Sequence, residues 1–153
     1  MSIVPYMQGQ LILDTVINVS GGTVDWVWAP TAWAIISNAA GAGYKQMIYD
    51  YTPARNCTVE IKLNVLTSSA TANQEFYLVL YELNTATSFG NTLNRNHTTP
   101  TVAETFYCIG ELALTGGTAY QFQARILTMA AGNQTVFQAA FSTQMIIKAW
   151  ANP

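Results

Sequence analysis

Charge is what this sequence has least of. Asp, Glu, Lys and Arg supply 9% of its 153 residues, against about 25% in an ordinary globular domain. A folded monomer of this size exposes roughly 7,600 Å², so each of the few charges would serve on the order of 500 Å². Thr, Asn, Gln, Ser and Ala stand where charges usually do. Such neutral side chains can be desolvated against a neighbouring subunit without the several-kcal/mol cost of stranding an ion. The composition therefore points to a part of an assembly. Basic residues are scarce as well: Lys45, Arg55, Lys62, Arg95, Arg125 and Lys148 form no run, and the net charge is −2. Phosphate-rich partners are excluded on that ground, and no nucleic acid is expected.

Other shortages exclude whole function classes. One histidine and two cysteines are too few for a structural zinc site, which usually takes four such ligands, so neither metal nor cofactor is expected. His97 lies in NRNHTTP among small polar neighbours, where a solvated loop histidine is the natural reading and a catalytic base is not. The carboxylates Asp14, Asp25, Asp50, Glu60, Glu75, Glu82, Glu104 and Glu111 are scattered singly, with no spacing that makes an acid/base pair. An enzyme is not expected. No apolar run approaches the ~20 residues that cross a bilayer, and the start MSIVPYMQGQLIL has no basic segment followed by a long apolar one. The expectation is a soluble chain made in a cytoplasm, without membrane insertion.

What is present is a period of two. In CTVEIKLNV the apolar Cys57, Val59, Ile61, Leu63 and Val65 alternate with polar Thr58, Glu60, Lys62 and Asn64, the pattern of an antiparallel strand with one buried face. QEFYLVLYEL differs. Phe76, Leu78 and Leu80 fill one face, but Tyr77, Val79, Tyr81 and Leu83 fill the other, so both faces want cover. Further strand patterns occupy 9–19, 23–29, 44–51, 106–115, 118–128 and parts of 134–150. TAWAIISNAA is compatible with a short helical turn. Turn-rich segments punctuate the series at Gly21-Gly22, NAAGAG, TPARN, SSATAN, Gly116-Gly117 and AAGN. The stretch 84–105 shows no strand pattern and reads as a long exposed loop. Eight or nine short strands predict a single all-β domain over 1–153, an antiparallel sandwich with jelly-roll architecture. Residues 1–8 are a candidate amino-terminal arm. Cys57 and Cys108, both in strand patterns, read as buried thiols, with a bond between them left open.

Two other groups are candidates for contact. Trp26 and Trp28 alternate in DWVW and Trp33 follows a proline-containing turn; such a set packs a core, stacks on sugar rings or anchors an interface. Asn91, Asn94, Arg95, Asn96 and His97 supply the 84–105 stretch with hydrogen-bonding groups for an external partner, unless that stretch has no role.

The second half of the chain resembles the trimeric jelly roll of the tumour necrosis factor and complement globular-head superfamily, particularly its relatives on bacteriophage virions. The resemblance covers roughly residues 50–150: the strand TPARNCTVEIKLNV, the polar turn SSATANQ, the strand end LVLYELN, the leucine, glycine turn and aromatic strand of LALTGGTAYQFQA, and the closing run FSTQMIIKAW, which lacks the glycine-centred ending of the family. It implies a homotrimer, with Tyr77, Val79, Tyr81 and Leu83 covered by neighbouring copies; the alternative is that the tyrosines lie beneath a long loop of the same chain. It also implies a non-enzymatic place on a virion, as a capsid decoration, head fibre or spike held by the major capsid protein or another virion protein. Two rival readings stand beside it: a lectin-like module binding a host surface glycan or receptor, and a jelly-roll subunit of the capsid shell.

Overall fold

A computed structural model gives the fold and describes residues 9–18, 26–28, 33–37, 46–69, 75–96, 102–128, 134–136 and 143–152. The elements are β1 (Leu11–Asn18), β2 (Trp26–Trp28), β3 (Ala34–Ile35), β4 (Ile48–Tyr51), β5 (Cys57–Ser69), β6 (Glu75–Glu82), β7 (Thr87–Asn96), β8 (Glu104–Leu114), β9 (Tyr120–Thr128), β10 (Gln134–Val136) and β11 (Gln144–Ala151). All pair antiparallel, in two sheets. In the first, β5 is central: β8 runs along one edge, β11 and then β10 share the other, and β1 and β2 extend the sheet beyond them. In the second, β9 is central, with β6 and then β7 on one side and β4 and β3 on the other. From β4 to β11 the chain passes between the sheets as second, first, second, second, first, second, first, first. This is a jelly-roll sandwich.

The alternation of β5 sets the core. Cys57, Val59, Ile61, Leu63 and Val65 are all fully buried, as the pattern requires, and meet Phe76, Leu78 and Leu80 from β6 and Phe122 and Ile126 from β9. Phe76 and Phe106 cross edge to face with centroids 4.9 Å apart, tying β6 of one sheet to β8 of the other. Along one side the sandwich closes backbone to backbone. A side chain on Gly90 (φ 83) would stand 2.6 Å from the Ile109 carbonyl oxygen and 2.9 Å from Gly110 Cα, so glycine alone lets β7 approach β8 there.

Two expectations are corrected. Residues 87–96, read as loop, form β7 and pair with β6. Two steps along β6, from Leu78 to Leu80, are answered by four along β7, from Leu93 to Phe89. That bulge at Gly90 throws the apolar residues out of a clean period of two and hides the strand. The segment compatible with a helical turn is also extended where it is described. Ala34 and Ile35 pair with β9, and Ser37 bridges to Gln46.

At the end of β6, Glu82 is fully buried. Its Oε1 accepts hydrogen bonds from the amides of Asn84 (3.0 Å) and Gln121 (2.9 Å), and its Oε2 from the Thr85 amide and hydroxyl (both 2.6 Å). Burial works against the ionised form, but these bonds outweigh it and hold the carboxyl below its ordinary value. The carboxylate thus fastens the turn after β6 to β9.

Candidate functional site

Each sheet turns one face inward and one outward, and the outward faces differ. On the first sheet the registers line up four rows across β8, β5, β11 and β1: Tyr107, Asn64, Gln144, Asn18; then Ile109, Lys62, Ile146, Val16; then Glu111, Glu60, Lys148, Asp14; then Ala113, Thr58, Trp150, Leu11. Apolar side chains thus flank a charged row on both sides. Tyr107 keeps 54% of its surface exposed, Ile109 48%, and Val16 and Leu11 46% each. Of the seven large apolar side chains exposed among the described residues, these four stand on this one face. The charged row carries both signs. Lys148 lies in register between Glu60 and Asp14, and Lys62 Nζ is 3.2 Å from Glu60 Oε1.

The outer face of the second sheet is ordered instead by hydrogen bonds. The Arg125 guanidinium lies 3.6 Å from the Tyr81 ring centroid and donates from Nε (2.9 Å) and Nη2 (2.5 Å) to Gln123 Oε1. Gln123 Nε2 donates to Gln121 Oε1 (2.8 Å), and Gln121 Nε2 to Asp50 Oδ1 (2.8 Å). A cation that only donates and a carboxylate that only accepts fix the direction of both amides between them. Gln123 is 4% exposed, so this chain of bonds is held rigidly against the sheet.

The candidate interface residues Tyr77, Val79, Tyr81 and Leu83 lie on or beside this second face. Val79, opposite Arg125, is 3% exposed within a single chain; Tyr77 and Tyr81 are half-buried, and Leu83 is exposed. Cover for Val79 and Tyr81 therefore comes from the chain itself. Asn91, Asn94, Arg95 and Asn96 belong to β7, with side chains outside the described ones, and His97 is outside the described residues altogether. Trp26 and Trp28 form the ends of β2, in register with Val136 and Gln134, but their side chains are likewise outside the described ones; Trp33 is exposed.

Glu82 is committed to the turn, and Glu60 to Lys62. The two cysteines are buried thiols with no disulfide between them. Burial pushes the Cys108 thiol up to about 11, which removes it as a nucleophile at neutral pH. The outward faces missed by the sequence reading carried a legible signal. ETFYCIGELAL is apolar on both sides at Phe106, Tyr107, Cys108 and Ile109, just as β6 is at 76–81. The bond chain of the second sheet carried none, because Gln121 and Asp50 meet across 71 positions.

No family model matches the chain, and no curated protein matches it. Among solved structures it is similar to a CocE/NonD family hydrolase from Staphylococcus aureus, at TM-score 0.49 and 8% identity over 97% of this chain and 38% of that one. It is also similar to the Eiger TNF of S. frugiperda, at TM-score 0.45 and 10% identity over 92% of this chain and 94% of the other. A chain of the infectious bursal disease virus Gx strain follows at TM-score 0.44 and 6% identity, over 98% of this chain and 41% of that one. The chain thus spans about two fifths of the hydrolase and of the viral protein.

Proposed function

We propose that this chain is a non-enzymatic structural subunit that assembles with copies of itself, as a homotrimer, and serves on a bacteriophage particle as a capsid decoration, head fibre or spike. One observation carries the assembly: the outer face of the first sheet exposes Tyr107, Ile109, Val16 and Leu11 in rows on either side of a charged row, Glu111, Glu60, Lys148 and Asp14. Four strands about 4.8 Å apart and four rows about 6.8 Å apart give a footprint on the order of 500 Å², in the range of one side of a small specific interface. Charges of both signs fixed on such a face favour one register of docking over others. The sandwich also gives the chain's neutral surface its use, since Thr, Asn and Gln can be covered without stranding ions.

This reading moves the copy-to-copy contact from the β6 face to the first sheet, because β9 already covers Val79 and Tyr81. The place on a virion is carried over from the resemblance of LVLYELN and LALTGGTAYQFQA to the phage relatives of the trimeric jelly roll. Sedimentation of the isolated protein should give three times 16.7 kDa. A monomer at micromolar concentration overturns the assembly. A trimer that fails to bind any phage particle or capsid protein overturns the location.

A further inference from the structure

We propose that the outer face of the second sheet, around Arg125, binds an acidic saccharide, with a sugar carboxylate held by the Arg125 guanidinium and a pyranose ring packed on Tyr77. The inference rests on the reading above in one respect: copies meeting through the first sheet leave this face turned outward.

Arg125 is the centre of the argument. A guanidinium carries five N–H donors, and two of Arg125's are spent on Gln123 Oε1. Three are left without a partner among the described residues. No described carboxylate lies within ion-pair distance of it. The nearest acid on its bond chain, Asp50, is reached only through Gln123 and Gln121, and the four residues of β9 from 125 to 121 span about 13 Å. In a chain with six basic residues, one is thus half-buried, stacked on an aromatic ring and bonded to a neutral amide, with its charge uncompensated. Such a fork is already oriented, so a carboxylate that meets it bidentately costs little ordering of the protein.

The surroundings select a sugar. Tyr77 stands one outward position beyond Val79, about 7 Å along β6 from the Arg125 row, and its ring is partly exposed. The guanidinium leans the other way, over Tyr81 and onto Gln123, so its separation from Tyr77 approaches about 13 Å along the strand, the span of an oligosaccharide of two or three residues in which one sugar carries the carboxylate to the guanidinium and another rests its apolar face on the ring. On the other side of Arg125, the amides of Gln123 and Gln121 have fixed orientations, and the half-exposed Gln121 can meet ring hydroxyls. A peptide would look instead for an unpaired strand edge, and both edges of β6 and of β9 are occupied in this sheet.

Calorimetric titration with trigalacturonate and with sialyllactose at low salt tests the proposal. Saturable binding of at least one acid is expected. The uncharged counterparts, methyl-esterified trigalacturonate and lactose, should bind about tenfold more weakly or worse, the loss of roughly one charge-assisted contact. Arg125→Gln should weaken the acid by a similar factor. Arg125→Lys, which keeps the charge and loses the fork, should also weaken it, by about fivefold, and Tyr77→Ala comparably. Unchanged circular dichroism and sedimentation would show that these variants are folded and assembled as before. The proposal is overturned if neither acid saturates, if neutral sugars bind as well, if Arg125→Gln leaves the affinity alone, or if an oligoglutamate peptide binds in place of both sugars. A wild-type protein that sediments as a monomer yet binds the acid through Arg125 refutes the assembly and leaves this site standing.

Discussion

On the first sheet Ile109 and Val16 keep 48% and 46% of their surface exposed, although they belong to strands with an ordinary buried side. On the second sheet Val79 keeps 3%, although β6 is apolar on both sides. The difference lies in the strands alongside. β6 is flanked by β9, whose outward Gln123 and Arg125 are long, bonded to each other and folded over the sheet, with Arg125 on the Tyr81 ring. β8 has only β5 in the first sheet, whose outward Lys62 is drawn along its own strand to Glu60. A doubly apolar strand therefore does not by itself call for a second subunit. What decides is whether its lateral neighbour supplies side chains long enough to lie across it and partners to hold them there.

The largest test of this contrast is an aspartate placed at each of two outward positions of β6, Val79 and Tyr81. Val79→Asp buries a carboxylate at a 3% exposed position and should destabilise the fold by several kcal/mol, about 3–5. Thermal unfolding should show it as a collapse of the melting temperature whatever the state of assembly. Tyr81→Asp should cost less, because the new carboxylate would stand beside the Arg125 guanidinium. If the two are equally damaging, Arg125 is not held where the structure places it.

Glu82 comes next. Glu82→Gln keeps the shape but replaces a carboxylate that accepts four bonds by an amide that must turn donors toward some of them, a loss of about 2–3 kcal/mol. Because the folded carboxyl titrates below its ordinary value, its contribution is fully present above the unfolded value of about 4.3 and is lost as pH falls through the folded one. Wild-type stability should fall steeply below about pH 4.5, and the variant's should fall less steeply. Parallel curves from denaturant titrations at pH 7 and pH 3.5 would show that Glu82 does not stabilise through its charge.

Ile109→Glu should act on assembly and not on the fold. At an exposed position its effect on the single chain should stay within about 0.5 kcal/mol, while a charge set into an apolar contact between copies should weaken association about a hundredfold or more. Sedimentation should show smaller species with native circular dichroism. An intact oligomer with this variant, combined with dissociation by Leu83→Glu, would return the contact to the β6 side of the molecule.

The sequence carried much of the fold and little of the sites, for physical reasons that can be named. A period of two reports which side of a strand is buried, so β5, β6, β8, β9 and β11 were legible, and with them the all-β sandwich. It reports nothing about a strand with a two-residue excess, so β7 passed for loop. The apolar excess on β8 at Tyr107 and Ile109 was as readable as that on β6, yet only the pairing of β8, β5, β11 and β1 gathers it with Val16 and Leu11 into one face. The bond chain from Arg125 to Asp50 depends on the pairing of β9 with β4 and so on the tertiary fold. The predicted contact groups at Trp26, Trp28, Asn91 and His97 lie where the side chains or residues are not described.

The smallest effect should come from reducing agent, and it concerns the inner side of the first sheet. Cys57 and Cys108 lie on adjacent strands, which invites a bond, but the register pairs Cys57 with Leu114 and Cys108 with Leu63. The two are therefore six residues apart along the ladder, about 20 Å, where a disulfide tolerates a Cα separation of at most about 7 Å. Both thiols are buried and burial raises both, Cys108 to about 11, so neither offers a thiolate at neutral pH to an oxidant or to a neighbouring copy. Dithiothreitol should leave the melting temperature unchanged to within about 1 °C, since no cross-link restrains the unfolded chain. Cys108→Ala should lower it modestly, through the cavity left beside Leu63 and Leu80, by about 1–2 kcal/mol. A large fall in melting temperature with reductant would mean that the β5 to β8 register is wrong or that copies are joined through sulfur, and non-reducing electrophoresis would separate the two by the presence or absence of a covalent dimer.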